Sequence, residues 1–182
     1  MSIAVELPRA LFVLLLLAGM GFDIQQRRVP NWLVLALIVV SVAGVLLGAA
    51  PARTMTDALV GGAVGLAMWV PFWLLGLLGA GDVKYFAAAC CWLGVSLGWR
   101  CALAAAVMGG VMSLVVLIAQ RGVTPALRFL GFTVAHLRET VQAADVSAVA
   151  NTARTFPYAV PMGIALIGAT LSPAWFFGGV LP

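Results

Sequence analysis

Long apolar stretches alternate with short polar ones along the whole chain. The first apolar segment covers about residues 10–22 and extends back to Ile3 at its widest. The second covers about 32–50, and the third about 58–78, interrupted by Pro71. The fourth covers about 83–98 and the fifth about 101–120, and the last begins at Pro157 and runs to the end. A helix needs about 20 apolar residues to cross a hydrocarbon layer roughly 30 Å thick, and these segments approach that length. Between the second and third, Thr54-Met55-Thr56-Asp57 reads as a capping box opening a helix. The long polar stretch over residues 121–156 has its own pattern. Leu127, Leu130, Val134, Leu137 and Val141 recur at steps of three and four, while Arg128, Arg138, Glu139 and Gln142 fall off that line. This predicts a helix with one apolar stripe, lying in the headgroup region. The expected fold is all-α: a polytopic bundle of about six transmembrane helices with an amphipathic loop helix, forming one membrane-embedded domain over residues 1–182.

Composition agrees. The 182 residues are 64% hydrophobic and 9% charged, with a mean hydropathy of +1.13, whereas soluble domains carry about a quarter charged residues. Too few polar side chains remain to solvate a surface, so the expected surroundings are a lipid bilayer. The net charge of +4 does not point to nucleic acid, because the basic residues are dispersed between apolar segments and form no stripe. Cys90, Cys91 and Cys101 lie inside apolar segments and suggest neither a disulfide framework nor a zinc site. Leu11–Ala18 follows Arg9 as a signal peptide core would, but further apolar segments follow and no cleavage is expected.

The basic residues orient the bundle. Arg27, Arg28, Lys84, Arg121, Arg128, Arg138 and Arg154 fall in the first, third and fifth connections, on one side; Arg9, Arg53 and Arg100 fall on the other. Seven against three places the N-terminus outside and the richer side in the cytoplasm.

Six acids occur in the chain. Glu6 sits in the N-terminal tail, Glu139 and Asp145 lie in the amphipathic loop, and Asp57 belongs to the capping box. Asp23 and Asp82 remain, each at the cytoplasmic end of an apolar segment. An ionisable group at membrane depth is costly and marks function by default. Two carboxylates in one low-dielectric site share a proton, one activating water as a base while the other polarises a carbonyl. The plainer alternatives are a helix N-cap for Asp82 and a surface partnership of Asp23 with Arg27. Gly79 and Gly81 before Asp82 favour chemistry, since glycine permits positive φ and close backbone approach.

Gly79-Ala80-Gly81-Asp82-Val83-Lys84 resembles the GxGD motif of membrane aspartic proteases, specifically the type IV prepilin peptidases. The loop from Asp23 through Arg27, Arg28, Pro30 and Asn31 to Trp32 is similar to the other half of that family's site. Pro157-Tyr158-Ala159-Val160-Pro161 is similar to the opening of its last core helix. The resemblance covers nearly the whole chain and implies that Asp23 and Asp82 are the catalytic pair. It implies as substrate a prepilin or pseudopilin whose short basic leader is cut at the cytoplasmic face of a bacterial inner membrane, with no cofactor and no metal. Larger family members carry an additional portion with paired cysteines and methylate the new N-terminus. This chain has no such pair and resembles the short form associated with Tad/Flp-type pili, so peptidase activity alone is expected, with pilus assembly machinery as a further partner.

Supporting roles are expected of Gly79, Gly81, Lys84, Asn31, Pro157 and Tyr158. Lys84 either tunes the charge of the pair or snorkels to the interface, and Asn31 caps the second helix. Pro161 kinks the last helix, and Gly61, Gly62, Gly65, Gly109 and Gly110 serve close helix packing. His136, the only histidine, sits on the loop helix and is not expected to bind metal. Two other functions compete: an ion- or proton-coupled transporter using the two aspartates, and a non-catalytic pilus or secretion assembly factor that keeps the fold.

Overall fold

In the computed structural model, residues 3–74, 78–121 and 157–172 are described, and their regular structure is helical throughout. The elements are α1 (Ile3–Gln26), α2 (Asn31–Leu46), α3 (Met55–Leu74), α4 (Ala80–Arg121) and α5 (Ala159–Leu171). Three of these, α1, α3 and α4, are long and apolar enough to cross a membrane. The outside of the bundle is apolar, with Leu14, Leu35, Leu59 and Val107 all more than half exposed. That suits lipid as the surrounding solvent.

The fourth and fifth apolar segments join into one element of 42 residues, so five helices rather than six are counted among the described residues. An unbroken helix of that length would run about 63 Å, twice the hydrocarbon thickness. It is broken at Gly94, whose φ of 73° and ψ of −177° are not helical. The Cys90 thiol lies 4.0 Å from the Gly98 carbonyl oxygen. Eight residues of straight helix would separate them by about 12 Å, so the chain doubles back here. We call residues 80–93 the first arm of α4 and residues 95–121 its second.

The first arm is the centre of the molecule. Against it α3 runs antiparallel, Gly61 meeting Cys90 and Gly94, Gly65 meeting Ala87 and Cys90, and Trp69 packing on Phe86. A β-carbon at Gly61 would stand 2.7 Å from the Cys90 carbonyl oxygen, and one at Gly62 2.5 Å from the Cys91 sulfur. The predicted small-residue contact therefore holds for Gly61, Gly62 and Gly65. It does not hold for Gly110, which faces open space, while Gly109 makes ordinary contact with Pro161 and Tyr158. From α2, Leu33, Leu37, Ser41 and Gly44 form one buried face. The Ser41 hydroxyl lies 2.7 Å from the Leu37 carbonyl of its own helix and 3.4 Å from that of Ala88. Trp92 fills the notch at Gly44 and stacks on Phe12 of α1 at 4.6 Å. The second arm runs antiparallel to α5, Cys101 meeting Ala165 and Gly109 meeting Tyr158.

Asp57 ties the end where α4 breaks. As predicted, Thr54 caps α3, its hydroxyl accepting the Asp57 N–H at 3.1 Å. The Asp57 carboxylate reaches back one residue beyond Thr54, to Arg53, and across to α4. It accepts the Val95 N–H at 3.0 Å and the Arg53 N–H at 3.3 Å, so one side chain serves the starts of both α3 and the second arm. Hydrogen bonds to charged groups contribute about 1.5–3 kcal/mol each.

Several boundaries differ from the sequence reading. Helix α1 continues past Asp23 to Gln26, because polar residues at an interface do not by themselves end a helix. Its end is made at Arg27, which takes φ 53° and donates its N–H to the Asp23 carbonyl at 2.9 Å, a left-handed cap usually given to glycine. Asn31 does not cap α2; it is the first helical residue, and Pro30 holds the cap position without a side-chain bond. Pro161 lies in the first turn of α5, where its missing N–H interrupts no helical bond, so no kink is required of it. The amphipathic helix expected over 121–156 lies outside the described residues.

Candidate active site

Asp23 stands in the last turn of α1 with only 3% of its surface exposed, although Ile24 through Arg28 are all exposed. It therefore points inward from a turn that otherwise faces out. Its Oδ2 accepts the N–H of Ala159, the first residue of α5, at 2.9 Å. The first N–H groups of any helix have no partner within it. Here a carboxylate from a helix 136 positions away supplies one, a charge-assisted bond at the positive end of the α5 dipole. Asp23 is thus a buried group held by a distant helix as well as a neighbour of Arg27 in sequence.

Asp82 is the third residue of α4 and is also buried. It is not an N-cap. Gly79 holds that position, its carbonyl accepting the N–H groups of Asp82 at 3.2 Å and Val83 at 3.3 Å. The start of α4 lies against the connection that follows α1, Gly81 facing the Val29 backbone. The two carboxylates come from opposite ends of their helices, and the antiparallel run of the chain brings both to one end of the bundle.

The glycines before Asp82 are explained by space and not by φ. Among the described residues, positive φ at glycine occurs at Gly48 and Gly94, so neither Gly79 nor Gly81 needs a left-handed backbone. A β-carbon at Gly79 would crowd Asp82 Oδ2 at 3.0 Å, and one at Gly81 would sit 3.3 Å from both N and O of Val29. Gly79 keeps the carboxylate clear, and Gly81 lets the connection between α1 and α2 lie directly on the start of α4. Pro157 and Tyr158 lead into the Ala159 N–H that holds Asp23, and the Tyr158 ring rests near Gly109 of the second arm. Lys84 lies about 200° round the helix from Asp82 and is exposed. Asn31 is exposed as well. The bundle therefore gathers Asp23, Asp82, Gly79, Gly81 and the Pro157-Tyr158 turn, and leaves Lys84 and Asn31 outside.

Three features escaped sequence reasoning. The Ala159 N–H carries no side-chain signal at all. The second role of Asp57 depends on a contact across 38 positions. Tyr85 had a signal that went unused: a tyrosine inside an apolar helix needs a partner for its hydroxyl, and this one is three residues past Asp82. Among the described residues, no three His, Cys, Asp or Glu side chains converge as metal ligands would; His136 lies outside them.

Chemically, two buried carboxylates supplied by separate helices at one end of the bundle can divide the work of hydrolysis. One withdraws a proton from water as the other donates to a carbonyl oxygen. A family model described as the type IV leader peptidase family matches residues 10–114, more than half the chain and inclusive of both aspartates. No curated relative and no solved structure matches.

Proposed function

Because the chain belongs to the type IV leader peptidase family, we propose that it is an aspartic endopeptidase with Asp23 and Asp82 as its catalytic pair. It cuts the short basic leader from prepilins and pseudopilins of the Tad/Flp kind. The carrying observation is the burial of both carboxylates at one end of the bundle, with Asp23 Oδ2 fixed by the Ala159 N–H. That bond occupies one oxygen of Asp23 and leaves Oδ1 to face the attacking water or the Asp82 carboxyl. The pair holds one proton between its members. Water loses a proton to the ionised member and attacks the scissile carbonyl, whose oxygen takes the proton of the other. In the collapse of the gem-diol, the newly protonated member gives its proton to the leaving amine while a diol hydroxyl returns one to the other member, so the pair again holds one proton.

The membrane arrangement belongs to this reading. The chain crosses a bacterial inner membrane about six times, each arm of α4 making one crossing, with the N-terminus outside and the site at the cytoplasmic face. The leader's cations then lie in the cytoplasm. The scissile bond sits where the substrate's apolar helix meets water, which is where unwinding it costs least. Gly79, which keeps the Asp82 carboxylate clear, gives the extended peptide access to it.

The test is co-expression with a Flp-type prepilin, following pilin size for wild type, Asp23→Asn and Asp82→Asn. Processing by wild type and its loss in both variants, at equal membrane levels, is expected. Full processing by either variant would remove that carboxylate from the reaction and return the transporter and assembly-factor readings to the front.

A further inference from the structure

Tyr85 lies three residues beyond Asp82, on the same face of α4 and about one turn deeper into the bundle. It is fully buried. Its hydroxyl donates to the Leu16 carbonyl of α1 at 2.9 Å. In a helix that carbonyl already serves the N–H four residues on, so Tyr85 uses its second lone pair. The bond is thus additional to α1's own ladder and joins α1 directly to α4.

The surroundings of the ring are cut to fit it. A β-carbon at Gly19 of α1 would lie 2.5 Å from the ring, and one at Gly163 of α5 would meet the Met20 sulfur of α1 at 2.5 Å and the Tyr85 hydroxyl oxygen at 3.2 Å. The spacing of these contacts follows that of the site. Gly19 is four residues before Asp23, and Gly163 is four residues after Ala159. The two helices that join α4 in building the site, α1 and α5, therefore each meet Tyr85 one turn below their own contributions.

We infer that Tyr85 is a positioning residue for the aspartate pair. Its hydroxyl bond to the Leu16 carbonyl, with the ring against Gly19 and the hydroxyl and Met20 both against Gly163, fixes the height of α1 and α5 against α4 and so the spacing of Asp23 and Asp82. Tyr85 does not touch substrate; it acts through the helices. The consequence for turnover rests on the peptidase reading above, whereas the consequence for helix register does not.

Tyr85→Phe keeps the ring and removes the bond. With purified full-length protein and a Flp-type prepilin, kcat is expected to fall on the order of 10- to 100-fold, the scale of a small misplacement of reacting groups, with KM within about twofold of wild type, because no substrate contact is lost. A tyrosine that merely packs would lower thermal stability and leave kcat per folded molecule unchanged, and that result overturns the inference. Register is read separately with spin labels at Ile24→Cys and Lys84→Cys, exposed positions beside the two aspartates. The background carries Cys91→Ala, since Cys91 is half-buried while Cys90 and Cys101 are buried. The distance distribution should shift or broaden on Tyr85→Phe, and an unchanged distribution overturns the inference whatever the protein cleaves. Cleavage that survives both Asp23→Asn and Asp82→Asn would sink the peptidase mechanism while leaving the label distances to decide on Tyr85.

Discussion

Replacing Asp23 by Asn and by Ala separates its structural duty from its chemical one. In the structure its Oδ2 accepts the Ala159 N–H at 2.9 Å, and both residues are buried. Asn keeps a carbonyl oxygen in that place, so the N–H stays paired and only the charge-assisted part of the bond is lost, about 0.5–1 kcal/mol. Ala removes the acceptor altogether. Loss of a helix cap costs about 0.5–2 kcal/mol, and a buried N–H left without a partner about 1–3 kcal/mol. These describe one event and are not summed, which puts Asp23→Ala at about 1.5–3 kcal/mol. The alanine variant should therefore be less stable than the asparagine variant by about 1–2 kcal/mol. Equilibrium unfolding in mixed detergent micelles, followed by tryptophan fluorescence, measures the difference. Cleavage should fall at least ~100-fold in both, because neither side chain exchanges a proton with water. Equal stability of the two variants would mean that the bond to α5 contributes nothing. Wild-type cleavage by Asp23→Asn would mean that the carboxylate is not needed for the reaction.

Two glycines give sharper structural tests. At Gly94, with φ 73° and ψ −177°, a side chain costs about 1–3 kcal/mol in backbone strain. Its methyl group would also displace the Asp57 carboxylate from Val95, so Gly94→Ala should lose about 3–5 kcal/mol in total and accumulate poorly in membranes; a loss under 1 kcal/mol would contradict the assigned turn. At Gly81 the obstructing atoms are the Val29 backbone, which cannot rotate aside. Gly81→Ala should therefore reduce kcat more than stability, measured on purified protein, and unchanged kcat would show that the connection between α1 and α2 plays no part in aligning the site.

Much of this was legible from the residue pattern, for physical reasons that can be named. Asp23 and Asp82 stood out because acids are rare in the chain and these two end apolar segments; a bilayer makes such placements costly, so few survive by accident. The Thr54 cap and the Gly61, Gly62 and Gly65 contact were equally accessible, since both are local patterns with one physical cause each. The break in α4 falls earlier than residues 99–100, where Arg100 is the visible polar cue, because the turn is made at Gly94 with a carboxylate from α3. The end of α1 falls later than Asp23 suggests for the converse reason: Asp23 looks like a loop residue, yet the helix ends at Arg27 through a backbone conformation that arginine rarely takes. Tertiary partners such as the Ala159 N–H leave no trace in composition or periodicity.

The bond between Asp23 and Ala159 also sets a timetable. Its two ends are 136 positions apart, so at about 5–20 residues per second the ribosome makes the acceptor roughly 7–27 s before the donor. Asp82 is made in the interval. A nascent chain that has inserted α1 and α4 thus already carries both carboxylates, but Asp23 lacks the contact that fixes its orientation. On the proposed assignment, the catalytic pair is therefore complete only once α5 has docked, after α1 to α4 have been made.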